Sequence, residues 1–273
     1  MTDTQNQRSD YTLYSPLLAY LLLSLPLLIC RDPLLAQGAT ASYRGFLFHC
    51  QNRAQTSHEI QHTVDQLHKL TGMSSCQLSE THLKRKPFLV MRFMELRDLR
   101  PLTEFTQLTD LSLGGNSISD LSPLSELKNL ISLNLGGQLG GNLISDLSPL
   151  KSLNKLETLI INRNQISDLT VFRDPALVGL KHLELARNQI EDLRPLEQLV
   201  NLEVLSLRSN KIRDISALEK LTKLRDLDLN NNKIISVLAL IKLRQLHTLR
   251  IRYNHLKDFA EYPGLRKIKQ IEY

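Results

Sequence analysis

A pattern with a period of 22 residues runs through the C-terminal two-thirds of this chain and constrains its fold more than any other feature. Residues 108–129 and 202–223 both follow L-x-x-L-x-L-x-x-N-x-I-x-D-[LI]-x-[PA]-L-x-x-L-x-x. After a degenerate first copy over residues 89–102, the opening apolar residue recurs at Leu108, Leu130, Leu156, Leu180, Leu202, Leu224, Leu246 and Ile268. Self-similarity at a fixed period of this length is the sequence signature of a solenoid.

Each copy predicts a short strand followed by a return limb that is too short for a long helix. Leucines alternate in the strand part, as at Leu111 and Leu113, so one face of the strand is buried. An aspartate such as Asp120 and a proline such as Pro123 then favour a 3₁₀ or extended turn of about ten residues. Between the two parts an asparagine recurs, and a column of stacked amides can satisfy the backbone groups that the turn leaves unpaired. The column comprises Asn116, Asn142, Asn164, Asn188, Asn210, Asn232 and Asn254.

These repeats resemble the leucine-rich repeat family, in the bacterial 22-residue class familiar from the internalins. The resemblance covers residues 89–273. It implies an α/β solenoid shaped as a horseshoe, with a parallel β-sheet on the concave face and mostly 3₁₀ or extended segments on the convex side. It says little about the ligand, because one fold serves many functions.

An apolar segment near the N-terminus, residues 14–30, indicates export. It is short for a membrane span and contains Pro26. Residues 39–41 (Ala-Thr-Ala) have the small-x-small pattern of a signal-peptidase site. We expect residues 1–41 to be a cleaved signal peptide and the protein to be secreted or held in the cell envelope. An uncleaved membrane anchor and a non-targeting apolar arm are the alternatives.

Residues 42–88 are expected to cap the open N-terminal end of the solenoid with a short helical segment. Export leaves two cysteines, Cys50 and Cys76, in a compartment that permits disulfides. A disulfide between them is our interpretation, and two unrelated free thiols are the alternative. Between them, residues 57–70 predict an amphipathic helix that begins at Ser57 and stops at Gly72. A disulfide-pinned helix at this place resembles the N-terminal caps of exported bacterial leucine-rich repeat proteins.

One motif on the expected cap helix is typical of enzymes. His58, Glu59 and His62 spell HExxH, in which two histidines one turn apart bind zinc and the glutamate polarises a water. The segment is too small for a substrate cleft, and the candidate third ligands, Glu80 and His82, lie close to the first repeat. We therefore predict no catalysis, no metal site and no cofactor, and interpret the motif as ordinary exposed residues of the cap. Adventitious metal binding and a metalloprotease are the alternatives.

The charge balance and the aromatic residues disfavour nucleic acid as a partner. The chain has a formal net charge of +6, from 34 Lys and Arg against 28 Asp and Glu, but the basic residues are scattered. Seven Phe, seven Tyr and no Trp offer no aromatic stacking platform. Membrane contact is expected only through an uncleaved N-terminal segment.

Positions three, five and seven of each repeat should face solvent on the concave sheet. Strands about 4.8 Å apart give this face a span of roughly 35 Å, enough for about 800 Å² of interface with a protein partner. The candidate contact residues are Ile160, His182, Glu184, Arg208, Asp226, Asp228, Arg250, Arg252 and Tyr253. Cross-strand pairing among Asp228, Arg250 and Glu272 is the alternative role for the late charges.

Two copies exceed the period, with four extra residues within Gly136–Gly141 and two within Phe172–Gly179, which we expect to form surface loops. The sequence predicts an exported leucine-rich repeat protein that binds another protein through its concave face. One alternative is an intracellular regulatory or scaffold subunit, similar to the eukaryotic phosphatase regulators built from this repeat class. The other is a structural envelope component without a specific ligand.

Overall fold

The computed structural model describes residues 44–137, 139–261, Leu265 and residues 268–273. The expected signal peptide and its cleavage site lie outside them. Within the described residues, nine short strands form one parallel sheet in chain order, which confirms the predicted solenoid. The strands β1 to β9 are Phe88–Val90, Asp110–Ser112, Ser132–Asn134, Thr158–Ile160, His182–Glu184, Val204–Ser206, Asp226–Asp228, Thr248–Arg250 and Gln270–Glu272.

Neighbouring strands are in register, so that equivalent residues of successive repeats stand side by side. Leu111 of β2 pairs with Leu133 of β3, and Leu227 of β7 pairs with Leu249 of β8. The central residue of most strands is buried, and the two flanking residues reach solvent. One coil of the solenoid therefore corresponds to one period of the sequence pattern.

The return limbs carry 3₁₀ turns, as predicted. These are Arg100–Leu102, Ser122–Glu126, Ser148–Ser152, Thr170–Arg173, Pro175–Leu177, Arg194–Gln198, Ser216–Lys220, Leu238–Lys242 and Phe259–Glu261. The aspartate before a turn accepts the backbone N–H two residues further on, as Asp120 Oδ1 does from Ser122 at 2.8 Å. Asp258 differs from this expectation. It accepts the N–H of Val237 in the preceding repeat at 3.1 Å, where Ser236 replaces the usual aspartate.

Leucine and isoleucine side chains from successive coils stack into one continuous core. Ile118, Leu121, Leu124 and Leu127 of a single repeat are all buried. Full burial of such a side chain stabilises a fold by about 1.5–3 kcal/mol. Repetition over the coils therefore provides the main stabilisation of the sheet, because each three-residue strand is too short to be stable alone.

Three helices cover the N-terminal end of this core: α1 Phe46–Gln51, α2 His58–Thr71 and α3 Cys76–Leu83. Helix α2 has the predicted ends, since Ser57 Oγ accepts the N–H of Ile60 and Gly72 adopts a left-handed φ of 66°. The Phe46 ring lies 6.1 Å from the Phe105 ring of the first repeat, between centroids. In the part of the chain that the structure describes, no helix has the length and apolar character of a membrane span.

Both insertions reach the surface, as predicted, and the second one also forms a turn. Phe172 and Leu177 are fully buried, and Pro175–Leu177 forms an additional 3₁₀ turn in which Asp174 Oδ1 accepts the N–H of Ala176 at 3.0 Å. Phe172 and Leu177 occupy the buried positions of Leu124 and Leu127 in an earlier repeat, and residues 173–176 between them are exposed or half-buried. The first insertion also reaches the surface, with Leu139 84% exposed.

Candidate functional site

The concave face consists of three rows of side chains, each taken from equivalent positions of successive repeats. The entry row is Phe88, Asp110, Ser132, Thr158, His182, Val204, Asp226, Thr248 and Gln270. The middle row is Val90, Ser112, Asn134, Ile160, Glu184, Ser206, Asp228, Arg250 and Glu272. The exit row, two residues after each strand, is Arg92, Gly114, Gly136, Asn162, Ala186, Arg208, Asn230 and Arg252. Tyr253 follows the exit row, so all nine predicted contact residues lie on or beside these rows.

The late repeats present the most accessible of these residues. Tyr253 is 78% exposed, and with Arg252 and Lys257 it borders a groove of about 460 Å³. Arg250 Nε lies 3.9 Å from Glu272 Oε1, a partly exposed pair of the kind that contributes about 0–1 kcal/mol. Such a weak pair leaves the Arg250 guanidinium available to a partner.

Asp228 of the middle row is half-buried. Burial raises the pKa of its carboxyl, while the N–H of Asn230, which donates to Asp228 Oδ1 at 3.0 Å, and the charges of Arg208 and Arg250 oppose that rise. Among the described residues, no salt bridge joins Asp228 directly to Arg250. The alternative of cross-strand pairing therefore applies to Arg250 and Glu272 and not to Asp228.

Glu184 is engaged by its neighbours. Its Oε1 lies 2.9 Å from His182 Nε2, and its Oε2 accepts from Asn162 Nδ2 at 2.5 Å. The hydrogen bond with His182 lowers the pKa of Glu184, against an opposing effect of burial. Because both carboxylate oxygens already have partners, Glu184 has less capacity to bind another molecule than its row position suggests.

Two asparagines of the exit row hold adjacent coils together. Asn162 Oδ1 accepts the N–H of Ala186 at 2.6 Å, and Asn230 Oδ1 accepts the N–H of Arg252 at 2.7 Å. Both asparagines are buried. This role was not predicted from the sequence, in which the available signal was an asparagine at a position otherwise occupied by Gly, Ala or Arg.

The residue after the exit row has a left-handed backbone in each of the described repeats from the first to the eighth. This left-handed row is Phe93, Gly115, Gly137, Arg163, Arg187, Ser209, Asn231 and Tyr253. For a residue other than glycine this conformation costs roughly 1–2 kcal/mol. The N–H of most of these residues donates to an exit-row carbonyl of the next repeat, as from Arg187 to Arg208 at 2.7 Å. The turn therefore has a fixed conformation, and it brings Arg163 and Arg187 to the edge of the concave face beside Arg208.

The asparagine column lies behind these turns, inside the solenoid except at its last member. Asn188 Nδ2 donates to Ile161 O at 3.1 Å and to Leu185 O at 3.0 Å, and its Oδ1 accepts the N–H of Ile166 at 3.1 Å. One amide thus joins two coils. Equivalent bonds are made by Asn116, Asn142, Asn164, Asn210, Asn232 and Asn254.

An apolar patch at the N-terminal end of the concave face was not anticipated. Phe88, Val90 and Phe93 are 58%, 54% and 53% exposed. Gly115 lies beneath the Phe93 ring, where a Cβ atom would come within 2.3 Å of a ring carbon. The sequence signal was the pair of apolar residues at the solvent-facing positions of the first, degenerate repeat.

The HExxH residues lie along a groove of about 390 Å³ between α2 and the first repeats. His58 and Glu59 are exposed, as expected, but His62 is half-buried and its Nε2 lies 2.7 Å from the Met94 carbonyl oxygen. Glu80, a candidate third ligand, pairs with Lys84 at 2.5 Å. Among the residues that the structure describes, no three His, Cys, Asp or Glu side chains are arranged to hold a metal ion. The interpretation of His62 as an ordinary exposed residue is therefore wrong, because it joins the cap to the first coil.

Comparison with known proteins gives consistent results. The family model described as Leucine Rich repeats (2 copies) matches residues 178–220 and 200–242. The chain is 26% identical to an internalin (inlF) from Listeria monocytogenes, with a TM-score of 0.62 over 77% of this chain and 68% of that one. It is also 26% identical to internalin C2 (inlC2) of the same species, with a TM-score of 0.55 over 68% of this chain and 90% of that one. No curated protein matches the chain in sequence.

Proposed function

Because this chain belongs to the internalin-like leucine-rich repeat proteins, we propose that it binds a protein partner through its concave face and catalyses no reaction. The observation that carries the proposal is the three-row face itself, with its side chains fixed by a nine-stranded sheet and by hydrogen bonds between coils. A surface that is already ordered loses little conformational entropy when a partner docks.

The late repeats are the proposed main contact. Arg250, Arg252 and Tyr253 lie close together at the end of β8, and Tyr253 is largely exposed. Arginine and tyrosine are enriched among the residues that dominate binding energy in protein interfaces. The proposed contact extends along the rows to Ile160, His182, Arg208 and Asp226. Glu184 and Asp228 contribute mainly through hydrogen bonds to neighbouring residues of the face.

Truncation of this cluster tests the proposal. We expect the combined substitution Arg250→Ala, Arg252→Ala and Tyr253→Ala to lower the affinity for a partner captured with the full chain by about tenfold or more. A matched variant, Lys242→Ala with Arg244→Ala, changes exposed cations outside the concave rows and should leave the affinity unchanged. Equal effects of the two variants on the affinity would show that the binding site lies outside the concave face. A chain that captures no saturable partner would support a structural envelope component instead.

Export is the second part of the proposal, with the mature protein secreted or held in the cell envelope. Export is supported by the apolar segment at residues 14–30, by the Ala-Thr-Ala pattern before residue 42 and by the short distance between Cys50 and Cys76. The Cα atoms of these two cysteines are 5.9 Å apart, within the range that a disulfide requires. Intact-mass measurement of the natively produced protein should show loss of residues 1–41 and of two hydrogen atoms. A retained N-terminus with reduced thiols would support the intracellular regulatory subunit.

A further inference from the structure

We propose that Arg163, Arg187 and Arg208 form a carboxylate-binding subsite, and that the partner presents an acidic peptide segment to it. This inference rests on the proposed function and specifies the chemistry of the partner. The three side chains line one groove of about 390 Å³ at the edge of the concave face, together with Leu139 and Ala186.

The three guanidinium groups lack acidic partners within the described part of the chain. Other arginines have them, since Arg194 pairs with Asp192 at 2.8 Å and Arg100 with Asp98 at 2.5 Å. No salt bridge or side-chain hydrogen bond is formed by Arg163, Arg187 or Arg208 among those residues. Arg163 Nε is moreover buried without a hydrogen-bond acceptor. A ligand in the groove cannot reach this buried Nε, so it would bind Arg163 through the terminal nitrogens of the guanidinium group, which are not buried.

The acidic side chains of the groove are engaged elsewhere. Glu184 binds His182 and Asn162, and Asp228 Oδ1 accepts the N–H of Asn230. Arg208 is near enough to Asp228 to stabilise its charged form, but no hydrogen bond joins the two side chains. The positive charge of the three arginines therefore remains available to a ligand.

The backbone beneath these arginines is held in place. Arg163 and Arg187 occupy the same position after β4 and β5, and both have a φ of 57°. Arg163 N–H donates to Ala186 O at 2.8 Å, and Arg187 N–H donates to Arg208 O at 2.7 Å. Neighbouring parallel strands lie about 4.8 Å apart, so the three arginine side chains project from three successive coils whose backbone positions are fixed. The planar fork of a guanidinium matches a carboxylate with two parallel hydrogen bonds.

The surroundings favour a peptide over a sulfated polysaccharide. The groove offers only three cations, beside the carboxylates of Glu184 and Asp228, and therefore few partners for the closely spaced charges of a sulfated polysaccharide. Leu139 is 84% exposed on the same groove and offers an apolar contact. A peptide that alternates acidic and apolar side chains can satisfy both features, because successive side chains of an extended chain point to opposite sides.

The test uses the full chain and a fluorescently labelled octapeptide of alternating Glu and Leu, with binding measured by anisotropy. We expect saturable binding that weakens as salt is raised, and no binding of the matched peptide of alternating Gln and Leu. Arg163→Gln, Arg187→Gln and Arg208→Gln combined should raise the Kd by about tenfold or more. The control Lys151→Gln, Arg173→Gln and Lys242→Gln makes the same change in net charge on the convex 3₁₀ turns and should leave the Kd within about twofold.

Because Arg163 is partly buried, the double variant Arg187→Gln and Arg208→Gln, both at exposed positions, keeps the test valid if the triple variant does not fold. The inference is overturned if the Glu-Leu peptide shows no saturable binding, or if the arginine and control variants lose it equally. Tighter binding of a heparin-derived oligosaccharide, lost in the same arginine variants, would overturn the peptide assignment. The proposed function fails separately, through the Arg250, Arg252 and Tyr253 variant and the captured partner.

Discussion

Asn162 and Glu184 are joined across two adjacent coils, with Asn162 Nδ2 donating to Glu184 Oε2 at 2.5 Å. The same asparagine accepts the N–H of Ala186 at 2.6 Å. One buried amide group therefore forms hydrogen bonds with both a carboxylate and the backbone that follows the next strand. The concave face therefore combines residues that are exposed for contact with residues that hold the face in shape. Side-chain type alone does not distinguish the two groups.

Asn162→Ala should lower the free energy of unfolding by about 1–3 kcal/mol, because the N–H of Ala186 and one carboxylate oxygen of Glu184 lose their partner. Urea denaturation measures this change. The control is Asn154→Ala, at an exposed position, which should stay within about 0.5 kcal/mol of the wild type. Equal stability of the two variants would contradict a structural role for Asn162.

Asn188→Leu should cost more, at least about 2 kcal/mol, because two carbonyl groups and one N–H inside the solenoid lose their partner together. The matched variant is Asn254→Leu, which removes equivalent bonds at a half-buried position where water can replace them. Denaturation should therefore show a smaller loss for Asn254→Leu. A column that only fills space would give similar, small losses at both positions.

His49 in the cap should make stability depend on pH. Both of its ring nitrogens are buried without a hydrogen-bond partner in the described structure, and burial lowers its pKa below the ordinary 6.5. The positive charge of Arg100 adds to this lowering of the pKa, while the nearby backbone of Arg44 and the negative charge of Asp98 partly oppose it.

The sign follows from the proton balance. As pH falls below about 6.5, the unfolded chain protonates His49 before the folded protein does, so the free energy of unfolding decreases. The decrease levels off once the folded ring also takes up its proton. His49→Leu should flatten this dependence between about pH 7.5 and the folded-state pKa, measured by urea denaturation at a series of pH values. The control is His58→Leu on the exposed start of α2, which should keep the slope of the wild type. An unchanged slope in His49→Leu would contradict the assignment.

Cys50→Ala with Cys76→Ala should lower the free energy of unfolding by about 3 kcal/mol, because the two residues are 26 positions apart and a bond between them restricts the unfolded chain. A reducing agent should produce a similar loss in the wild type and no further loss in the variant. Stability that does not respond to the reducing agent would mean that the thiols are free.

Most of the fold follows from the sequence because the repeat places the same residue in the same environment many times. The alternating leucines predict each strand, and the short limb predicts the 3₁₀ turns. Ser57 and Gly72 mark the ends of α2 through local capping, which depends on few residues. The additional 3₁₀ turn at Pro175–Leu177 was not predicted, because it depends on the hydrogen bond from the N–H of Ala176 to Asp174 in a segment that the other repeats lack.

The site was predicted less completely. The rule of alternating side chains selects the entry, middle and exit rows, and it fails beyond the exit row because the backbone becomes left-handed there. Arg163 and Arg187 were missed for this reason. Phe88 and Val90 were missed because the degenerate first repeat has no polar residues at its two solvent-facing strand positions. The roles of Asn162 and Asn230 were not predicted, because they depend on where the backbone N–H groups of the next coil lie.

Site-specific photocrosslinking to the captured partner tests binding at the concave face most directly. A photoreactive amino acid placed at Ser206, in the middle row, should crosslink the partner. The same group placed at Lys220, on a convex 3₁₀ turn, should not. Crosslinking from Lys220 with none from Ser206 would contradict the account.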